Sequence, residues 1–237
     1  MEVTWISRTG GRAVNEDAVS KSRAKGIFCA VVADGLGGHK GGQLASSLAV
    51  GAIIDSFEKN PGFSQEHLRS YIESGKDAVS AHALSDPDLL HMSSTAAVLL
   101  IRGRRAMWAN VGDTRLYKFS GGEISDVTED HSVAFSDFVR GDIEYDMIRT
   151  SPQRNRLTSA IGVNMDSINF SGEHRIDAST SFLMCTDGWW EYVKETDMEN
   201  TLSDSETAEA WLEKMLKIRE ENAPADSDNF TAAVIII

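Results

Sequence analysis

The residues FCAVVAD (28–34) form an apolar run of strand type that ends at an aspartate. Two other runs meet an aspartate in a similar way: FLMCTD ends at Asp187, and DNFTAAVIII begins at Asp228. Short runs rich in β-branched and aromatic residues predict buried strands. In an antiparallel sheet, the start of one strand lies beside the ends of its neighbours. We therefore expect the carboxylates of Asp34, Asp187 and Asp228 to meet at one edge of the core.

Strands and helices do not alternate one for one along the chain. Helical spacing of apolar residues begins near Gln43, recurs over residues 68–79, and appears again over residues 208–216. A Pro61-Gly62 stop separates the first two helices. Strict alternation is typical of parallel sheets, so this order favours an α+β fold with largely antiparallel sheets. Strands are predicted at residues 2–7, 26–33, 95–101, 106–111, 115–119, 181–186 and 230–237.

Composition limits the classes of function. With 237 residues, 41% of them hydrophobic, we expect one domain over residues 1–237. The net charge of −13 disfavours a nucleic-acid partner, because that affinity comes largely from Lys and Arg. Cys29 and Cys185 lie in apolar runs, which predicts buried reduced thiols. No run resembles a signal peptide or a membrane span, so we expect a soluble, cytoplasmic protein without membrane insertion.

Three carboxylates at one edge of a core require a compensating positive charge, because uncompensated charge is costly away from water. A single Asp-Gly after a strand is more often a turn than a ligand. Oxygen ligands suit Mg²⁺ or Mn²⁺, whereas zinc prefers His and Cys, which do not cluster in this sequence. The three strand-end acids together predict a Mg²⁺ or Mn²⁺ centre.

Eight short motifs follow one another along most of the chain. They are RAVNED (12–17), VADGLGGHKGG (32–42), STAAV (94–98), VGDTRLY (111–117), TEDHS (128–132), RNRLTSAIG (154–162), CTDGWW (185–190) and DSDNFT (226–231). In this order and spacing the chain resembles the type 2C, or PPM, serine/threonine phosphatases, especially their compact bacterial members. The resemblance implies a four-layer α-β-β-α sandwich, in which helix pairs flank two antiparallel sheets, with a flap insertion at residues 131–156.

The resemblance also implies roles at a metal centre. Asp34 looks like the ligand that bridges two metals, and the Gly35 carbonyl looks like a ligand of the second. Asp187 and Asp228 match ligands of the first metal. Asp113 matches a position that helps Asp187 to hold a third, weaker metal. The implied cofactors are therefore two divalent metals, Mn²⁺ or Mg²⁺, and a weaker third.

Residues around the metals are implied in the same way. Arg12 matches the arginine that grips the substrate phosphate, and its fixed fork of donors suits phosphoryl oxygens. Glu16 and Asp17 match acids that orient metal-bound waters. Thr95 and Asn229 match positions whose hydrogen bonds shape the site. The predicted catalytic residues are thus Arg12 and the three strand-end aspartates.

The implied reaction is hydrolysis of phosphoserine or phosphothreonine in proteins by a metal-activated water at a binuclear centre. Leu36 stands where some relatives carry a histidine proposed as general acid, so the proton donor stays open. We assign that role to neither His39 nor His131. A cysteine phosphatase is disfavoured, because neither cysteine lies in a Cys-x5-Arg loop. Two alternatives remain: a catalytically silent binding module and a phosphatase of small molecules.

The implied partners are phosphorylated proteins, including a Ser/Thr kinase and its targets, and we expect a monomer. In the flap, Arg140, Arg149 and Arg154 either contact the acidic flank of a phosphopeptide or are solvated. Trp189 and Trp190 after the CTDG motif either pack a helix or form an aromatic wall near the substrate. These alternatives depend on where the tertiary structure places the side chains.

Overall fold

The computed structural model describes residues 1–37, 41–162 and 165–237. Its strands, in chain order, are β1 (Glu2–Arg8), β2 (Ala18–Ala24), β3 (Ile27–Ala33), β4 (Gly35–Leu36), β5 (Ser93–Ser94), β6 (Ala96–Arg102), β7 (Arg105–Val111), β8 (Arg115–Ser120), β9 (Glu123–Val127), β10 (Asn169–Phe170), β11 (His174–Arg175), β12 (Thr180–Cys185) and β13 (Phe230–Ile236). Its α-helices are α1 (Gly41–Lys59), α2 (Gln65–Ser85), α3 (Val133–Val139), α4 (Asp187–Trp190), α5 (Glu195–Ser203) and α6 (Ala208–Asn222). Two 3₁₀ segments are Pro87–Leu89 and Tyr145–Thr150.

Two sheets hold most of the strands. The first sheet has the order β1-β13-β12-β8-β9, and the second has the order β10-β7-β6-β3-β2, with β11 also paired to β7. All of these pairs are antiparallel. The chain passes from the second sheet to the first between β7 and β8. The predicted α+β class with antiparallel sheets is confirmed.

The sheets face each other and carry helices on their outer faces. Along β3, Phe28, Ala30 and Val32 pack between the sheets, whereas Cys29 and Val31 pack beneath α1 and α2. This alternation follows from the two-residue period of a strand, and burial on both faces explains why the run is apolar throughout. On the other side, α5 and α6 cover the first sheet. The result is the expected α-β-β-α sandwich.

The elements that escaped the sequence prediction are the two-residue strands β4, β5, β10 and β11, the longer strands β2 and β9, and the helices α3, α4 and α5. The missed strands β2 and β9 lie at the ends of their sheets and are only partly buried. Edge strands carry polar residues on exposed positions, so they lack the apolar run on which the prediction relied. Outside the flap, the missed helices are α5 and the single turn α4. Both of the long helices that precede and follow the Pro61-Gly62 stop are confirmed.

The flap is more regular than the sequence indicates. Residues 131–156 show no sustained hydrophobic period in the sequence, yet they contain α3 and the 3₁₀ segment Tyr145–Thr150. Ser132 caps α3 by accepting a hydrogen bond from the Phe135 backbone N–H at 3.1 Å. The Phe135 and Phe138 rings then pack edge to face with centroids 5.8 Å apart. The short length of α3 hid its period from the sequence analysis.

The cysteine prediction is confirmed, since Cys29 and Cys185 are both buried free thiols. Burial raises the pKa of each thiol, so neither is an activated nucleophile. Among the described residues, no helix has both the length and the apolar character needed to cross a membrane.

Candidate active site

The predicted acidic residues lie at strand ends. Asp34 follows β3, Asp187 follows β12, and Asp228 lies two residues before β13. Cys185 at the end of β12 is paired with Ala232 near the start of β13, so Asp187 and Asp228 come from the same end of neighbouring strands. Asp113 lies in the crossing between β7 and β8.

The carboxylates of this cluster raise one another's pKa. Burial is the main cause of the raised pKa of Asp34, followed by the negative charges of Asp17, Asp187, Asp113 and Asp228. Burial also raises the pKa of Asp187, with Asp113 as the next cause. The pKa of Asp113 itself rises to about 7, again mainly through burial. The structure thus brings these acids into one region, where a bound cation would relieve their mutual repulsion.

The donor set suits a hard divalent cation held largely by water. In the described part of the chain, no three carboxylate, imidazole or thiol groups form a ready-made cage for one ion. Mg²⁺ and Mn²⁺ do not require such a cage, because Mg²⁺ keeps several waters and needs only one or two carboxylates. Asp17 Oδ1 is buried without a hydrogen-bond partner, and burial raises the pKa of this carboxyl to about 6. These features fit Mg²⁺ or Mn²⁺.

Thr95 and a close backbone contact hold the Asp34-Gly35 segment. The Asp34 N–H donates to Thr95 Oγ1 at 2.9 Å, and the Thr95 N–H donates to the Asp34 carbonyl at 2.8 Å. A Cβ atom on Gly35 would lie 2.0 Å from the Gly42 carbonyl oxygen, so only glycine fits there. The backbone of Asp34 and Gly35 is therefore fixed by Thr95, just before β6, on one side and by α1 on the other.

Arg12 lies beside Asp228. Its Nη2 donates to Asp228 Oδ2 at 2.9 Å, and both side chains are substantially exposed. The loop before Arg12 rests on the backbone of Asp228: a Cβ atom on Gly10, whose φ is +58°, would lie 2.2 Å from the Asp228 carbonyl oxygen. Glycine at this position thus permits the close approach that places a guanidinium at the rim of the acidic cluster.

Asn229 joins the loop that carries Arg12 to the start of β13. Its Oδ1 accepts from the Glu16 N–H at 2.8 Å, and its Nδ2 donates to the carbonyls of Thr9 and Val14 at 2.8 and 2.9 Å. The neighbouring Asp17 Oδ2 accepts from Thr186 Oγ1 at 2.9 Å, and Thr186 directly precedes Asp187. Asn229 therefore shapes the site through backbone contacts that cross more than 200 positions in sequence.

The flap is attached to the segment that follows Asp187. Arg149 forms an ion pair with Glu195 and also donates to the Trp190 carbonyl. Arg154 forms an ion pair with the largely buried Glu191. Arg140 is exposed and pairs with two acidic residues of the flap itself. These three flap arginines are thus engaged within the chain.

A buried ion pair that the sequence analysis missed lies behind Asp113. Arg115 and Asp130 are joined by hydrogen bonds of 2.9 and 2.7 Å, and their side chains are 2% and 1% exposed. The Arg115 guanidinium carbon lies 3.7 Å from the ring centroid of Trp190, whose Nε1 donates to the Asp113 carbonyl at 3.0 Å. Trp189 is also fully buried. Both tryptophans therefore pack in the interior, as the first of the two interpretations predicts. The second interpretation, that they form an aromatic wall near the substrate, is wrong.

The place of the general acid stays open. Leu36 borders a cleft of about 530 Å³ that is also lined by residues 90–93, Asn155, residues 157–160 and Asp166. His131 is buried, its Nδ1 accepts from the Gly112 N–H at 3.1 Å, and burial lowers its pKa. These contacts give His131 a packing role. His39 lies outside the described residues.

Comparisons with known proteins agree with this geometry. The family model for Protein phosphatase 2C matches residues 7–229. The serine/threonine phosphatase stp of Listeria welshimeri is 28% identical over 221 residues, covering 86% of this chain and 82% of the relative. The solved structure of Stp1 from Staphylococcus aureus is 26% identical, with a TM-score of 0.89 over 100% of this chain and 94% of that one. The catalytic domain of PstP, solved in complex with two manganese ions, is 24% identical and shares the fold, with a TM-score of 0.84 over 98% and 96% of the two chains. The chain belongs to the protein phosphatase 2C family.

Proposed function

We propose that this chain hydrolyses phosphoserine and phosphothreonine in proteins with a metal-activated water at a binuclear centre. Family membership makes it a serine/threonine protein phosphatase and supports dependence on a divalent metal. The observation that carries the finer proposal is the cluster of carboxylates that raise one another's pKa around Asp34 and Asp187, with the Arg12 guanidinium at its rim. The two manganese ions in the PstP catalytic domain support a centre of two metals.

The proposed metal ligands are those that the family resemblance implies, and the clustering of the acids supports them. We assign Asp34, Asp187 and Asp228 to one metal, and Asp34 with the Gly35 carbonyl to the other. Asp113 with Asp187 would hold a third, weaker metal, because the negative charge of Asp113 is the largest cause, after burial, of the raised pKa of Asp187. Bound Mn²⁺ or Mg²⁺ supplies Lewis acidity and lowers the pKa of coordinated water toward neutral.

The surrounding residues bind the phosphate and orient water. A guanidinium has five N–H donors, and Asp228 accepts from Nη2 of Arg12, which leaves donors for phosphoryl oxygens. Thr186 holds one oxygen of Asp17 and leaves the other for a water proton. Asn229 fixes the backbone of Glu16, so that the acid pair keeps its place beside the cluster.

The test is hydrolysis of a phosphothreonine peptide before and after chelation. EDTA should abolish activity and Mn²⁺ should restore it, while Asp34→Asn, Asp187→Asn and Asp228→Asn each lower kcat/KM by about a hundredfold or more. Asp226→Asn is the matched control, because Asp226 is exposed in the same motif. Activity that survives EDTA and all three substitutions would overturn the metal mechanism.

Two further arms separate the alternatives. Faster turnover of small phosphate esters than of phosphopeptides would indicate a phosphatase of small molecules. A folded chain that binds Mn²⁺ and hydrolyses neither would indicate a binding module.

We propose that the partners are a Ser/Thr kinase and its targets, and that the protein acts on them as a monomer in the cytoplasm. Two buried free thiols suit that reducing compartment. Dephosphorylation of an autophosphorylated kinase domain tests this partnership.

A further inference from the structure

Arg219 is a buried cation near the site that the proposed mechanism does not use. It lies in the last turn of α6 and is only 4% exposed. Trp211, Met215 and Arg219 follow one another at intervals of four on the buried face of this helix. The helix therefore places a guanidinium where its pattern predicts an apolar side chain. A buried charge is costly unless it is hydrogen-bonded, so its partners show what it does.

The partners of Arg219 belong to the two segments that carry proposed metal ligands. Its Nε donates to the Gly188 carbonyl at 3.0 Å, and its Nη2 donates to Ser227 Oγ at 2.9 Å and to the Asp228 carbonyl at 3.4 Å. The guanidinium carbon also lies 3.7 Å from the ring centroid of Phe230. Its described acceptors are carbonyl and hydroxyl oxygens rather than carboxylates. One side chain thus joins the turn after Asp187 to the segment around Asp228.

Both carboxylates depend on the backbone that Arg219 holds. The Gly188 N–H donates to Asp187 Oδ1 at 2.6 Å, and the Asn229 N–H donates to Asp228 Oδ1 at 2.8 Å. The Asp228 carbonyl and the Asn229 N–H are the two ends of one peptide group, so a cation at the carbonyl strengthens the donor. The two segments also touch directly, because a Cβ atom on Gly188 would lie 2.0 Å from the Asn229 carbonyl oxygen.

We propose that Arg219 is a positioning residue that sets the spacing and orientation of the Asp187 and Asp228 carboxylates, and thereby the affinity for metal. This inference rests on the proposed metal centre. An arginine suits the task because its rigid fork of nitrogens reaches acceptors on two segments at once, whereas the three N–H donors of a lysine all radiate from one nitrogen. Partners that orient metal ligands from behind typically change metal affinity by about 10–100-fold.

The test compares Arg219→Met, Arg219→Lys and the control Arg8→Met. Arg8 forms an exposed ion pair with Glu220, the residue that follows Arg219. Arg8→Met therefore removes an arginine from the same neighbourhood without changing the hydrogen bonds that Arg219 donates. Mn²⁺ binding is measured by calorimetry on the chelated protein, together with the Mn²⁺-induced shift in melting temperature and the Mn²⁺ concentration for half-maximal hydrolysis. We expect weaker Mn²⁺ binding by about tenfold or more in Arg219→Met, a smaller loss in Arg219→Lys, and wild-type affinity in Arg8→Met.

The outcomes separate the two proposals. If Arg219→Met lowers the melting temperature but binds Mn²⁺ as the wild type does, Arg219 is only structural and the inference is overturned. If Arg219→Met does not fold, the Lys variant decides: a folded Lys variant with wild-type affinity also overturns the inference, and a weakened one supports it. Wild-type protein that binds Mn²⁺ but hydrolyses no phosphopeptide would refute the proposed function. The effect of Arg219 on Mn²⁺ affinity could still be measured in that case.

Discussion

Asp130→Ala would remove the carboxylate that is doubly hydrogen-bonded to the buried Arg115 guanidinium and leave it only the Glu195 carboxylate, at 3.7 Å. The two side chains are 2% and 1% exposed and are joined by two hydrogen bonds, so neither charge is solvated. Removing one partner of a buried ion pair costs about 3–5 kcal/mol. For a chain of this size each kcal/mol lowers Tm by about 2–4 °C, so we expect a fall of about 6–20 °C.

The loss is measured by denaturant and thermal unfolding of the chelated protein. Glu173→Ala is the matched control, because it breaks the half-exposed pair with Arg105, whose contribution is expected to stay below about 1 kcal/mol. Combining Asp130→Ala with Arg115→Met should recover much of the loss, because no unpaired charge remains in the core. A destabilisation by Asp130→Ala no larger than that by Glu173→Ala would refute the reasoning.

Three other predictions concern the site directly. The chelated protein should gain stability as pH falls from about 7 to about 5, because the folded-state pKa values of Asp17 (about 6) and Asp113 (about 7) exceed the ordinary 3.8 and their ionisation therefore disfavours folding. Thermal melts with EDTA check this, and a melting temperature that does not change with pH would contradict it. Saturating Mn²⁺ should reverse the trend, because metal binding requires the ionised carboxylates. Trp190→Phe keeps an aromatic ring but leaves the Asp113 carbonyl without its indole donor, so the free energy of unfolding measured with denaturant should fall by about 1–3 kcal/mol. The control Trp5→Phe, at an exposed position, should change it very little. Arg12→Ala should raise KM for a phosphopeptide by about tenfold while the Mn²⁺ concentration for half-maximal activity stays the same, and an unchanged KM would remove Arg12 from the phosphate site.

The prediction of strands succeeded where burial occurs on both faces of a sheet. β3 reads as an unbroken apolar run because α1 and α2 cover one face and the first sheet covers the other. β2 and β9 did not produce that signal, since they are edge strands with exposed positions. The placement of the acids followed from the same pattern: an aspartate beside a buried strand is carried to the edge of the core wherever the strands lie antiparallel.

The buried strands, the acids at their ends and the family motifs were readable from the sequence alone, because periodicity and turn chemistry act over a few neighbouring residues. Only the tertiary structure showed that Arg219 donates hydrogen bonds to the carbonyls of both Gly188 and Asp228. It also showed that Arg149 attaches the flap to Glu195, 46 positions away. A sequence pattern indicates which face of an element is buried. It does not indicate which side chain of a distant element meets that face, because that depends on how the layers are packed.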